Sequence, residues 1–234
     1  MILSFAQAHV KWLSLEDEAW IGRKIQEKAS TPVVLHLDHG QDLSFIKKAI
    51  DLGFNSVMID ASRLSFENNV KTTKEVVDYA HENGVDVEAE IGFVGANENI
   101  ENYRVIDSIY TEASDVVEFL NKTNVDSLAI SIGTAHGIYK GEPKINFERL
   151  YEIREKVETP LVLHGGSSTG YDNLSKCVKG GITKINLFSD MINAGFAAIK
   201  NENVIDYPSL MINIKENIKE EVINYYKVFG LIER

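Results

Sequence analysis

Three of the chain's six histidines stand where a short apolar segment gives way to a polar loop: His39 in LHLDHG, His136 in GTAHGIY and His164 in LHGGSS. Imidazoles brought in from separate strands can hold Zn²⁺ and leave a fourth position open, as a catalytic zinc requires and a structural zinc does not. Carboxylates occupy the same kind of place: Asp38 beside His39, Asp60 in MIDAS, and Glu88 and Glu90 in VEAEIG. Groups so placed can move protons or complete a metal's ligand set. His36 shares the alternating phase of Asp38 and points to the same side, where it either packs or orients the carboxylate. His81, on a helix among charges, reads as solvated, and His9 follows the first apolar segment.

Glycine-bearing loops add a second signal. Gly165, Gly166 and Ser167 follow one apolar segment, and the stretch from Asn186 to Ser189 follows the next. In barrels such late loops commonly bind phosphate, because backbone N–H groups and small side chains can approach its oxygens. After Glu90, IGFVGANEN opens a long polar stretch running to Tyr110. It is expected to form a mobile active-site loop with Glu98 as its chemical group.

Such residues need elements to position them. Short β-branched segments alternate with amphipathic helical ones, the rhythm of βα units. Predicted strands are Ile2 to Ala8, Val33 to Leu37, Ser56 to Ile59, Asp86 to Ile91, Ser127 to Ile132, Leu161 to Leu163 and Thr183 to Leu187. Their near-continuous hydrophobicity is that of parallel strands covered on both faces. Predicted helices are Leu15 to Lys28, Leu43 to Leu52, Phe66 to Asn83, Ala113 to Lys122, Phe147 to Lys156, Asn173 to Lys179, Met191 to Lys200 and Leu210 to Phe229, with stop glycines at Gly53 and Gly84. This count suits a doubly wound sheet or a (β/α)8 TIM barrel, and an eight-fold barrel takes about 250 residues. A strand opens at Ile2 with no element before it. The expectation is therefore a single α/β domain over residues 1–234, an incomplete barrel missing its first strand–helix unit.

Composition narrows the function classes. The 234 residues are 44% hydrophobic and 25% charged, which suits a globular chain with a sizeable core. Twenty-four Lys and Arg against thirty-five Asp and Glu give a net charge of -11, which argues against nucleic-acid or anionic-membrane partners. No apolar run approaches the roughly 18 residues of a membrane span, and the N-terminal residues lack a secretory pattern, so a cytoplasmic location is expected. Cys177, the sole cysteine, reads as a small buried apolar residue.

PVVLHLDHG, GFNSVMIDAS, VEAEIGFVGANEN, LAISIGTAHGIYKGEP, LVLHGGSS and ITKINLFSD, in this order, resemble the motifs of the class II, metal-dependent ketose-bisphosphate aldolases, a family including fructose-1,6-bisphosphate and tagatose-1,6-bisphosphate aldolases. The resemblance runs from about Pro32 to Asp190 and implies a (β/α)8 barrel, a catalytic zinc and a homodimer or homotetramer. It implies that His39, His136 and His164 ligate the zinc, that Glu90 holds a displaced metal position, and that Asp60 is a neighbouring or secondary metal group. Asp38 would be the acid–base group at the ketose C4 hydroxyl, and Glu98 would move the proton at C3. Gly137, Gly165 and Ser167 would hold dihydroxyacetone phosphate and a monovalent cation, with Asn186 and Ser189 beside them. The implied reaction is cleavage or formation of a ketose 1,6-bisphosphate through a zinc-stabilised enediolate, giving dihydroxyacetone phosphate and glyceraldehyde 3-phosphate.

The sequence departs from the family pattern at several points. The N-terminal unit with its AFN-like segment is absent, as is the serine many members carry near Ala6. The usual GSG reads Gly166-Ser167-Ser168, and the phosphate motif NxDT or NxAT reads Asn186-Leu187-Phe188-Ser189. These departures leave open a catalytically impaired barrel that retains zinc. A barrel zinc hydrolase would commonly need an HxH pair, which the sequence does not contain.

Overall fold

The computed structural model describes residues 1–92, 95–96, 110–136, 143–201 and 204–233, with backbone alone at 95–96 and 135–136. Strands and helices alternate as β1 Ile2–Ala6, α1 Leu15–Lys28, β2 Val34–Gly40, α2 Leu43–Asp51, β3 Ser56–Ile59, α3 Phe66–Glu82, β4 Asp86–Ile91, β5 Gly95–Ala96, α4 Ala113–Thr123, β6 Ser127–Ile130, β7 Ala135–His136, α5 Phe147–Lys156, β8 Leu161–Leu163, α6 Tyr171–Lys179, β9 Ile182–Ile185, α7 Ser189–Ala197 and α8 Tyr207–Val228. This is an α/β chain, and it divides into two compact units.

The first unit holds Met1–Phe93, Glu112–Ala129 and Val157–Pro160. Its strands follow the order β1-β2-β3-β4-β6, with β1 on β2, β2 on β3 and β3 on β4 all parallel. Leu35, Leu37, Val57, Met58, Ile59, Val87 and Ala89 are all buried, so adjacent residues pointing to opposite faces are both covered. α1 lies on the Leu35 face, because a Cβ at Gly22 would come within 2.5 Å of the Leu35 Cδ1. His36 and Asp38 therefore face the other way. α2, α3 and α4 bury Ile46, Ala49, Val76, Val77, Ala80, Val116 and Phe119, each such large aliphatic or aromatic side chain contributing about 1.5–3 kcal/mol. Ser14 and Asp42 cap α1 and α2 by accepting the backbone N–H of Asp17 and Phe45. Gly53 and Gly84 follow α2 and α3 at φ 96 and 69, the left-handed turn anticipated there.

The second unit holds Val94–Thr111, Ile130–Lys156 and Leu161–Arg234. β8 and β9 pair in parallel, as do the two-residue strands β5 and β7. α8 packs on α7 at Gly195, where a Cβ would lie 3.1 Å from Ile218 Cδ1, and the Asn217 amide donates to the Ala194 carbonyl at 3.1 Å.

Several boundaries move from expectation for identifiable reasons. β2 continues through Asp38 and His39 to Gly40, because the Gly40 carbonyl accepts the Asp60 N–H at 2.8 Å after a register shift. α6 starts at Tyr171 because Gly170, at φ 88, turns the chain and accepts from Leu174 N. α8 starts at Tyr207, where Asp206 and Ser209 form a capping box and a proline occupies the first turn. β5 and β7 have no sequence signal at this length. Burial pushes the Cys177 thiol up to about 12, in keeping with an inert apolar role.

Candidate functional site

The end of β2 is where the first unit turns from packing to chemistry. The pairing of β2 with β3 shifts between Leu37 and Gly40, and His39 sits at φ 49, in the left-handed region. Such a bulge re-aims a side chain that regular alternation would place elsewhere. Gly40 makes the close approach possible, since a Cβ there would come 2.5 Å from the Met58 carbonyl oxygen. A left-handed residue other than glycine costs about 1–3 kcal/mol and persists only where its surroundings hold it.

What holds His39 is Asp60, just beyond β3. The His39 Nδ1 lies 2.9 Å from Asp60 Oδ2, and the Ser62 hydroxyl donates to Asp60 Oδ1 at 2.7 Å. Burial works against the Asp60 charge but is outweighed by the hydrogen bonds of His39 and Ser62, which hold its carboxyl well below the usual range. A carboxylate on Nδ1 fixes the imidazole orientation and leaves Nε2 for another partner. That Nε2 lies 4.0 Å from Asp38 Oδ2.

β4 brings two further carboxylates, Glu88 at 1% and Glu90 at 3% exposure. Ligand atoms of His39, Asp60 and Glu90 lie within 4.8 Å of one another, as do those of His36, Asp38 and Glu88. One imidazole with two carboxylates is a nitrogen and oxygen donor set suited to zinc and other first-row divalent ions. The first of these groups unites three of the residues expected to meet a metal. In the second, the buried His36 places Nδ1 2.8 Å from Ser56 Oγ and Nε2 3.9 Å from Asp38 Oδ1 and 3.8 Å from Glu88 Oε2. His9 stacks on Trp12 at 5.1 Å between ring centroids; burial lowers its pKa, opposed by the charge of Asp38. His81 is not merely solvated, since its Nε2 lies 2.9 Å from Asp126 Oδ2, which also accepts the Val87 N–H.

In the second unit His164 is fully buried just after β8, and His136 lies in β7. The loops after β8 and β9 are stitched together. Ser167 Oγ accepts the N–H groups of Phe188 at 3.1 Å and Asp190 at 3.3 Å, while the Gly166 N–H donates to the Asn186 carbonyl at 3.1 Å. Lys184 donates to Asn186 Oδ1 at 2.7 Å, and Ser189 opens α7. Gly165 stands at φ 67, and Gly166 is required because a Cβ would lie 2.9 Å from the Asn186 carbonyl oxygen. Glu98 and Gly137 lie outside the described residues, as does most of the stretch expected to form a loop before Tyr110.

Supporting residues went unnoticed in the sequence. Asn69 donates to the Glu90 carbonyl at 2.9 Å, and Thr73 donates to Asn69 Oδ1 at 3.0 Å, both buried on α3. Their signal was available, as polar residues on the same helical face as Val76, Val77 and Ala80. Ser62 had one too, as a serine two residues after Asp60 in a turn; Ser56 had none, because strand register decides that it meets His36.

Residues 1–234 match the family described as fructose-bisphosphate aldolase class-II. The chain is 37% identical over 230 residues to the uncharacterized protein YdjI of Escherichia coli K12, covering 98% of this chain and 82% of that one. It is 42% identical over 208 residues to a fructose-bisphosphate aldolase of Staphylococcus aureus Mu50, covering 87% of this chain and 72% of the relative. Among solved structures, the YdjI aldolase from Escherichia coli K12 superposes with a TM-score of 0.87 at 35% identity, over 98% of this chain and 81% of that one.

Proposed function

Because the chain belongs to the class-II fructose-bisphosphate aldolase family, we propose that it is a metal-dependent lyase that cleaves and forms a ketose 1,6-bisphosphate, fructose or tagatose, yielding dihydroxyacetone phosphate and glyceraldehyde 3-phosphate. The observation that carries the reading is the cluster of His39, Asp60 and Glu90 beside Asp38, at the carboxyl ends of β2, β3 and β4. Sites of α/β folds with parallel strands form beyond those ends.

In this reading His39, His136 and His164 hold Zn²⁺, with Glu90 and Asp60 as alternative or supporting ligands. A bound divalent cation polarises the substrate carbonyl and stabilises the negative charge that develops as the C3–C4 bond breaks. Asp38 accepts the proton of the C4 hydroxyl, so that the C4 oxygen becomes the aldehyde while the bonding electrons pass to C3. Glu98 returns a proton to C3. Gly137, Gly165, Ser167, Asn186 and Ser189 bind the phosphate of the three-carbon ketone, with a monovalent cation beside it. Ser167 uses its lone pairs on the backbone N–H groups of Phe188 and Asp190 and keeps its own O–H to donate. The scaffold is a single TIM-barrel domain over residues 1–234. The enzyme acts in the cytoplasm as a homodimer or homotetramer, without nucleic-acid or membrane partners.

The test is cleavage of fructose-1,6-bisphosphate and tagatose-1,6-bisphosphate by the purified chain with added zinc, with a chelator, and in Asp38→Ala. Turnover is expected to disappear with chelator and to fall about 10²- to 10⁴-fold in kcat for the variant, the range for a lost general acid or base. Absence of turnover of both sugars by the zinc-loaded chain overturns the proposal.

A further inference from the structure

The C-terminal helix reaches the two stitched loops through one side chain. Tyr225, buried on α8, donates its hydroxyl to Asp190 Oδ2. The same carboxylate oxygen accepts the Ser168 N–H at 2.9 Å, and the Ser168 hydroxyl lies 3.3 Å from Asp190 Oδ1. Ser168 stands at φ 61, a left-handed conformation that a non-glycine residue holds only against a cost. Asp190 supplies two of the contacts that keep it there. In return Ser167, one residue earlier, accepts the Asp190 N–H. The loop after β8 and the start of α7 thus fix each other, and Tyr225 fixes the shared carboxylate.

Tyr225 is itself held between neighbouring aromatic rings. Its ring meets Tyr171 edge to face at 5.4 Å and Phe229 at 5.7 Å, and the Tyr171 hydroxyl donates to Glu221 Oε1 at 3.0 Å. Burial and the hydrogen bond to Asp190 push the Tyr225 hydroxyl far above its ordinary pKa, so it stays a donor at any working pH.

We propose that Tyr225 is a positioning residue for the phosphate end of the substrate: through Asp190 it holds the Gly165–Thr169 loop in the one conformation that presents Gly165 and Ser167 to a phosphate. The proposal rests on the function proposed above for those loops. It makes α8, which contributes no expected ligand, part of what sets phosphate affinity.

The experiment compares wild type, Tyr225→Phe, Asp190→Asn, the double variant and, as a control on the exposed side of the same helix, Glu216→Gln, whose carboxylate pairs with Lys215 and Lys219. The readouts are steady-state kinetics on fructose-1,6-bisphosphate and tagatose-1,6-bisphosphate, and calorimetric binding of dihydroxyacetone phosphate. Tyr225→Phe is expected to raise KM and the dihydroxyacetone phosphate Kd about tenfold, the scale of one lost hydrogen bond to a charged group. kcat is expected to change less than about twofold, because no group at the reacting carbons is altered. The double variant is expected to bind no worse than Asp190→Asn alone, because the two residues act through one contact. Glu216→Gln is expected to match wild type. A fall in kcat at unchanged KM and Kd, additive variants, or unchanged constants in Tyr225→Phe overturns the proposal. If wild type binds dihydroxyacetone phosphate but turns over neither sugar, the reaction assignment fails while Tyr225 is still judged on Kd; if it does not bind, both fail.

Discussion

His39 is the residue on which the first unit's chemistry turns, and its geometry depends on Asp60 more than on its own place in β2. Alternation alone would send neighbouring Asp38 and His39 to opposite faces; the bulge and the 2.9 Å contact to Asp60 bring Asp38 Oδ2 within 4.0 Å of the imidazole. Removing the carboxylate should free the ring and remove a potential ligand together. Asp60→Ala is expected to weaken zinc binding about 10- to 100-fold, the usual cost of losing such a partner. Titration of the metal-free protein with zinc against a competing chelator measures this. Equal affinity in wild type and variant would show that Asp60 neither orients nor supplements the ligand set.

At the scale of elements, α1 carries an uncompensated cost. Glu18 is 2% exposed on the face shared with Leu15, Ala19 and Gly22, and among the described residues neither of its carboxylate oxygens has a hydrogen-bond partner. Burial raises its pKa from 4.5 to about 8. A carboxyl whose pKa is raised by folding binds its proton more tightly in the native state. Stability is then fully present below about pH 4.5 and is lost progressively as pH rises towards 8. Glu18→Gln removes the titration, so its advantage over wild type is expected to grow across that interval and level off above it, reaching on the order of a few kcal/mol. Urea unfolding at a series of pH values tests this; a constant difference between the two proteins would place the Glu18 carboxyl in water.

For the molecule as a whole, ligands that favour the native chain should raise its stability by mass action. Zinc at 100 times its Kd adds about 2.7 kcal/mol, which for a chain of 150–250 residues is roughly 5–10 °C in Tm. Chelator should reverse the gain in wild type and in Asp38→Ala alike, while only wild type recovers activity; scanning calorimetry and assay of the same samples separate binding from catalysis. Among the described residues no helix is long and apolar enough to cross a membrane. Much of this protein was legible in its sequence. The α/β alternation, most element boundaries and the polar residues at strand ends follow from local periodicity, because a strand buried on both faces and an amphipathic helix each write their environment into adjacent residues. Family membership was legible too, since ordered motifs need no coordinates. Three-dimensional packing decided the partners. Ser56 meets His36 through the register of β2 on β3, and His39 meets Asp60 through the bulge at the end of β2. Tyr225 meets Asp190 across 35 residues, and Glu18 is buried on the α1 face it shares with Leu15, Ala19 and Gly22. None of these pairings has a local signal, because which side chains touch depends on how separate elements pack.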